Sequence, residues 1–242
     1  MNSEVRTARV TGLWYLALGL LGMAGFLVLR PQLYIAGDPT ATLANLSDNA
    51  SLAHLSVGLE LAVVLAQATV AVWFFKLFAP INRVAAVGVM AFGLLNAAAI
   101  MTSAMFMATA VAVSGDTSLA PAGDAAATVG LMAVLSTNAW GVGNLFFGLW
   151  LIPMGWVVIT SGRMPRLLGW LLIAGGAGYV LSGFVQFAIV DAPSLVVDGL
   201  AMAAAVGEFW MIGYLLVKGI RPASVTTSGT DREPALVAEA SR

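Results

Sequence analysis

Apolar residues run together in six long stretches along this chain, with short polar segments between them. A helix needs about 20 predominantly apolar residues to cross a hydrocarbon core, and each stretch meets that requirement. They extend from Thr11 to Leu29, Leu52 to Phe75, Val84 to Ala112, Ala126 to Ile159, Leu167 to Val190 and Ser194 to Val217. The predicted fold class is all-α, an integral membrane bundle of six transmembrane helices. The third and fourth stretches exceed the minimum, so tilt, a kink or protruding ends must absorb the excess. Pro153 can kink the fourth. A break near Ser136, Thr137 and Asn138 would instead make the residues before it an interfacial or packed outer segment. The first stretch follows Arg6 and Arg9 like a signal peptide, but it is too long and no small-residue cleavage site follows before Arg30 and Pro31, so it reads as an anchor.

Composition narrows the chemistry. The chain is 60% hydrophobic and 10% charged, where a soluble domain carries roughly 25% charged residues. It has no cysteine, which removes disulfides, thiolate nucleophiles and thiolate metal sites. A single histidine, His54, excludes bis-histidine haem within one chain and leaves no histidine cluster for a metal. A serine–histidine pair would have to use His54, and no serine sits in an elbow-like motif. No basic patch points to nucleic acid. The expectation is a protein that is not an enzyme and carries no cofactor or metal. Its environment is the lipid bilayer, and a protein partner or small-molecule ligand is left unidentified.

Charge decides orientation. Arg6 and Arg9, Lys76 and Arg83, Arg163 and Arg166, and Lys218 and Arg221 fall on one side of the spans. The opposite loops carry Asp38, Asp48, Asp116, Asp124 and Asp191, with Arg30 as their basic residue. By the positive-inside rule the basic side is cytoplasmic, so both termini are predicted to lie in the cytoplasm. Residues 1–220 form the membrane domain on this reading. Residues 221–242, polar and mixed in charge, are expected to be a disordered cytoplasmic tail. Trp14, Trp73, Trp156, Trp170 and Tyr214 lie toward the cytoplasmic ends of spans and read as interface anchors.

The run FFGLWLIPMGW at Phe146 to Trp156, followed by SGRMPRLLGWLLIAGGAGY at Ser161 to Tyr179, resembles a bacterial multipass membrane family. That family is known as the domain of unknown function numbered four-three-eight-six. GEFWMIGYLLVKG at Gly207 to Gly219 and FKLFAPINR at Phe75 to Arg83 extend the resemblance over nearly the whole chain up to about Lys218. It implies a bacterial inner-membrane protein and brings no activity with it. A threefold repeat of helical hairpins, suggested by Arg9, Arg83 and Arg166 at the starts of the odd spans, competes with the simple topological need for a basic residue there.

Gly148 and Gly155 share a face of the fourth helix, and Ala174, Gly178 and Ser182 share one of the fifth. Small residues at such spacings let backbones approach closely in lipid. The short loop through Gly162 and Pro165 then makes the two helices antiparallel neighbours.

Two carboxylates lie within spans, where an ionisable group costs roughly 2.5 to 3.5 kcal/mol unless it finds a partner or a cavity. Glu60 lies about 5 Å to the outer side of its helix midpoint and Glu208 about 3 Å to the inner side of its own. Ser56, Glu60 and Gln67 share one face, as do Asn96 and Ser103 on the third helix and Tyr179, Ser182 and Gln186 on the fifth. Asn144 lies near the middle of the fourth. Convergence of these faces would give a polar interior whose candidate site residues are Glu60, Gln67, Asn96, Asn144, Gln186 and Glu208. Glu208 is expected to be protonated and to hydrogen-bond Gln67. Such an interior suits a small-ligand or ion-coupled transporter or binding bundle. The same carboxyls would serve a structural or regulatory membrane subunit simply as glue between helices. His54, near the outer end of the second span, reads as interfacial.

Overall fold

The computed structural model describes residues 3–221, with every side chain in that range except those of 201 and 203. The expected tail therefore lies outside the described residues but for Arg221. The described residues are helical throughout, without strands. Six helices are long and apolar enough to cross a membrane: Ser3–Leu33, Ala50–Phe78, Arg83–Gly115, Ala125–Ser161, Arg166–Ala188 and Ser194–Val217, called here the first to sixth spans. Each packs on its neighbours in the chain, and the first also packs on the sixth, closing the six into a ring.

The helix ends follow local chemistry. The Asn82 side chain accepts from the Ala85 amide at the start of the third span, and Asp124 accepts from the Ala127 amide at the start of the fourth. Each satisfies one of the amides that a helix start leaves unpaired. Gly162 ends the fourth span with φ +65°, a left-handed conformation that a residue without Cβ adopts freely. Outside the spans, the Ser118 hydroxyl and then the Ser118 amide hold the Asp116 carboxyl below the usual carboxylate range.

The fourth span runs unbroken through Ser136, Thr137 and Asn138, as the apolar stretch from Ala126 to Ile159 predicts, and the alternative of a break there does not occur; the Thr137 hydroxyl bonds back to the Ala133 carbonyl at 3.0 Å, within its own helix. Two features differ from the sequence expectation. The segment between the first and second spans contains a further helix, Pro39–Asp48, too short to cross a bilayer. Its start is written in the sequence as Asp38 followed by Pro39: the carboxylate caps the Ala41 amide at 2.8 Å and proline occupies the first turn. This helix packs across the acidic-end part of the fourth span. The first span is also longer than expected and changes form, with Met23–Leu29 a π-helix before Arg30–Leu33 returns to α. Arg30 thereby continues the span, and its amide bonds five residues back to Gly25.

The core is divided by depth. The larger apolar cluster joins the spans through the middle and the basic end, around Tyr15, Phe74, Phe78, Trp150, Met154, Leu172 and Met211. A smaller one at the acidic end holds the helix Pro39–Asp48 through Leu33, Leu46, Ala53, Val111 and Val129. At the basic end Arg163, only 9% exposed, ties the loop between the fourth and fifth spans to the residues before the first span and after the sixth. Its side chain pairs with Glu4 and donates to the Arg221 carbonyl.

The fourth and fifth spans meet through glycines, as expected, though partly different ones. A Cβ on Gly155 would lie 2.5 Å from the Gly169 carbonyl oxygen, and one on Gly148 would lie 2.6 Å from that of Gly176. Gly178 belongs to the other side of the fifth helix, where it abuts the Leu200 backbone of the sixth span. Ala174 is exposed rather than packed.

Candidate functional site

The polar side chains inside the ring gather into two groups. The first lies in the half nearer the acidic loops. Helical period places Glu60 inward on the second span, and its side chain is 5% exposed. Its Oε1 accepts from the Ser103 hydroxyl at 2.7 Å and from the Trp140 indole N–H. Ser103 lies 2.7 Å from the Ser136 hydroxyl, and Ser136 accepts from Arg30 Nη2 at 2.7 Å. The same nitrogen reaches the Thr137 hydroxyl at 3.3 Å.

The direction of this chain is set by its glutamate end. Ser103 gives its one hydroxyl proton to Glu60, so toward Ser136 it can only accept, and Ser136 donates to it. Ser136 in turn accepts from Arg30, since a guanidinium can only donate. Four spans are thus joined by one line of donors running from a buried cation to a buried carboxyl. Because arginine does not release its proton in proteins, the line ties the helices together rather than carrying protons from Arg30. The guanidinium carbon sits 5.6 Å from the Phe26 ring centre and 5.8 Å from that of Tyr34, within the range of cation–π attraction. Arg30 Nη1 and the Tyr34 hydroxyl are buried and have no hydrogen-bond partner. Both residues line a groove of about 690 Å³ between the acidic-side end of the first span, the segment after it and the fourth span.

The second group lies nearer the middle. Glu208 Oε1 accepts from the Tyr15 hydroxyl at 2.7 Å, so its partner is Tyr15 and not the expected Gln67. Tyr15 packs edge-on against Phe74 and Trp150, with ring centres 5.5 Å apart in each case. Phe147 stacks on Trp150 and meets Tyr179 edge-on. These rings fill the centre of the bundle. Gln67 is fully buried and donates to the Gly93 carbonyl at 3.4 Å. Gln67 Oε1, Asn96 Nδ2 and Trp150 Nε1 are buried there without partners.

Of the six candidate residues, Glu60 belongs to the group nearer the acidic loops, and Gln67, Asn96 and Glu208 lie around the aromatic centre. Glu60 and Glu208 do not pair with each other; each has its own donors. Asn144 is half-buried, and Gln186 is exposed beside Gly141 on the flank of the fourth span. His54 is exposed near the acidic-side end of the second span. Among the described residues, no group of three or more histidine, aspartate or glutamate side chains is placed to hold a metal ion.

Arg30 is the residue that the sequence reading placed wrongly, as part of a loop. A signal was present: Phe26, Arg30 and Tyr34 are spaced four residues apart, which puts all three on one helical face. Trp140 and Trp150 carry a similar signal: each is an aromatic residue with a polar tip lying away from the span ends, where interface anchoring does not account for it. Tyr15, next to Trp14 near the start of the first apolar stretch, carries no such signal.

A family described as a domain of unknown function, DUF4386, matches residues 10–219. The chain belongs to the DUF4386 family. The matched range includes every residue of both polar groups in this DUF4386 protein, whereas Glu4 and Arg221, which fasten Arg163, lie outside it. An uncharacterized protein of Archaeoglobus fulgidus is 29% identical over 87 residues, 36% of this chain and 50% of that protein. The chain thus spans about half the length of that curated relative. No solved structure matches the chain.

Proposed function

We propose that this multipass membrane protein binds a small ligand in the acidic-side half of its bundle, in the inner membrane of a bacterial cell, with both termini in the cytoplasm. The observation that carries the reading is Arg30, a buried guanidinium flanked by two rings, with one of its nitrogens unpartnered at the wall of a groove. Buried donors are paired in nearly all folded proteins, and an unpaired one calls for a reason. The groove's volume of about 690 Å³ falls within the range of roughly 300–1,000 Å³ typical of small-molecule sites. Binding, alone or as a step of transport, fits better than catalysis, since no nucleophile with an adjacent base lines the groove.

Stabilisation by ligands tests the reading. Purified protein heated with a panel of small molecules, among them oleate, oleyl alcohol, indole and inorganic phosphate, should unfold at a higher temperature with at least one of them, because a ligand that binds only the folded state stabilises it. Leu131→Trp, which fills the groove from an exposed position, should remove that gain. A panel without effect, together with a stoichiometric protein partner retained on purification, would favour a structural or regulatory subunit instead.

The orientation rests on the basic and acidic ends of the bundle. Single cysteines replacing the exposed residues Asp116 and Asp191 should react with an impermeant thiol reagent added to whole spheroplasts. One replacing the exposed Arg166 should react only after lysis. Labelling at position 166 in intact spheroplasts would reverse the orientation.

A further inference from the structure

The groove beside Arg30 has a chemical polarity of its own. Two donors, Arg30 Nη1 and the Tyr34 hydroxyl, are buried at its wall without partners, so an occupant must supply acceptors. The remaining wall is largely apolar: Phe26, Ile35, Leu131 and Val134 are between 39% and 56% exposed. In a membrane such side chains face lipid tails or whatever displaces them. Phe26 and Tyr34 flank the guanidinium.

The charges nearby decide what sort of acceptor fits. Glu60 is separated from Arg30 by two serine hydroxyls, and Oε1 of its carboxyl is engaged by Ser103 and Trp140. Asp38 also lines the groove, but it is exposed, and one oxygen of its carboxylate caps the Ala41 amide. A headgroup in direct contact with Arg30 feels that cation at a shorter distance than it feels Glu60, and Coulomb attraction falls with separation. The exposed Asp38 is screened by solvent ions. One negative charge is therefore favoured, while a second would meet Glu60 and Asp38 with no further cation lining the groove.

We infer that the groove holds a membrane-borne amphiphile with a singly charged carboxylate or phosphate-ester headgroup, the headgroup on Arg30 and Tyr34 and the tail against Phe26, Leu131 and Val134. This rests on the ligand-binding reading above and names its ligand class.

The test uses the full chain in nanodiscs of zwitterionic lipid, with radiolabelled oleate and oleyl alcohol as probes. Oleate should bind saturably, one per chain. Arg30→Gln should weaken it by about tenfold or more, as expected for loss of a charge-assisted hydrogen bond. Tyr34→Phe should weaken it several-fold, and Leu131→Trp should abolish it. Inorganic phosphate should not compete. Because Arg30→Gln also disturbs the link to Glu60, the Tyr34 and Leu131 variants keep the test decisive if that variant does not fold. Oleate binding unchanged in the variants that fold would make it bulk lipid contact and overturn the inference. Saturable binding of oleyl alcohol equal to that of oleate, and lost in Leu131→Trp, would keep the ligand-binding reading while removing the anionic headgroup. Competition by phosphate would overturn the membrane source. Absence of saturable binding by either probe, with no stabilising compound in the heating panel, would remove both.

Discussion

Glu60→Leu should lower the stability of the purified protein by about 3–5 kcal/mol, the range for removing one member of a buried charge pair. The leucine would leave Ser103 and the Trp140 indole without their acceptor. It would also leave Arg30, 9% exposed, as a cation with no counter-charge at the end of the serine line. Glu60→Gln keeps an oxygen for both donors and removes only the charge, so its loss should be smaller. Ser103→Ala, which cuts the line but keeps both ends, should cost about 1.5–3 kcal/mol, as for a hydrogen bond to a charged group. Replacing both ends, with Arg30→Met and Glu60→Leu together, should recover much of the single-variant loss, because neither charge then remains to be solvated. Reversible unfolding in mixed micelles measures these four and Arg30→Met alone, which completes the cycle. If the double variant were as unstable as the sum of its parts, the two residues would not be coupled, and Glu60 would act through its neutral hydrogen bonds alone.

Gly155→Leu should cost about 3 kcal/mol or more and could prevent assembly of the fourth and fifth spans. A Cβ at this position would meet the Gly169 carbonyl oxygen at 2.5 Å and Ile173 Cγ1 at 2.7 Å. Backbone cannot move aside as a flexible side chain can, so the helices would have to separate. In lipid this is expensive, since close packing rather than hydrophobicity holds helices together, and overpacking a tight contact costs about 1–3 kcal/mol even in soluble cores. Gly183→Leu is the matched control in the fifth span: nothing lies within 4 Å of a Cβ there, and leucine is the better helix former by several tenths of a kcal/mol or more. Comparable thermal stability of the two variants would refute the close contact.

The sequence by itself determined the membrane architecture and much of what faces inward. Uninterrupted apolar stretches of this length leave the backbone no option but helix, so the number of spans and their approximate positions followed from hydropathy. The 3.6-residue period placed Ser56, Glu60 and Gln67 on one face and Asn96 and Ser103 on another, and all five are buried. The period carries no information about which faces meet. That depends on the rotation of each helix about its axis, which neighbours fix by packing. Glu208 therefore met Tyr15 instead of Gln67, and Gly178 met the sixth span instead of the fourth. The hydroxyls of Ser136 and Thr137, which looked like a helix break, became acceptors for a side chain more than a hundred residues away in sequence. Arg30 shows the limit most plainly. Hydropathy ends the first span at Leu29 because an arginine and a proline follow, but a π-helical segment carries the span past both. Only the opposing hydroxyls, the flanking rings and Glu60 on a different helix make burial of that cation affordable, and none of them is adjacent to it in the chain.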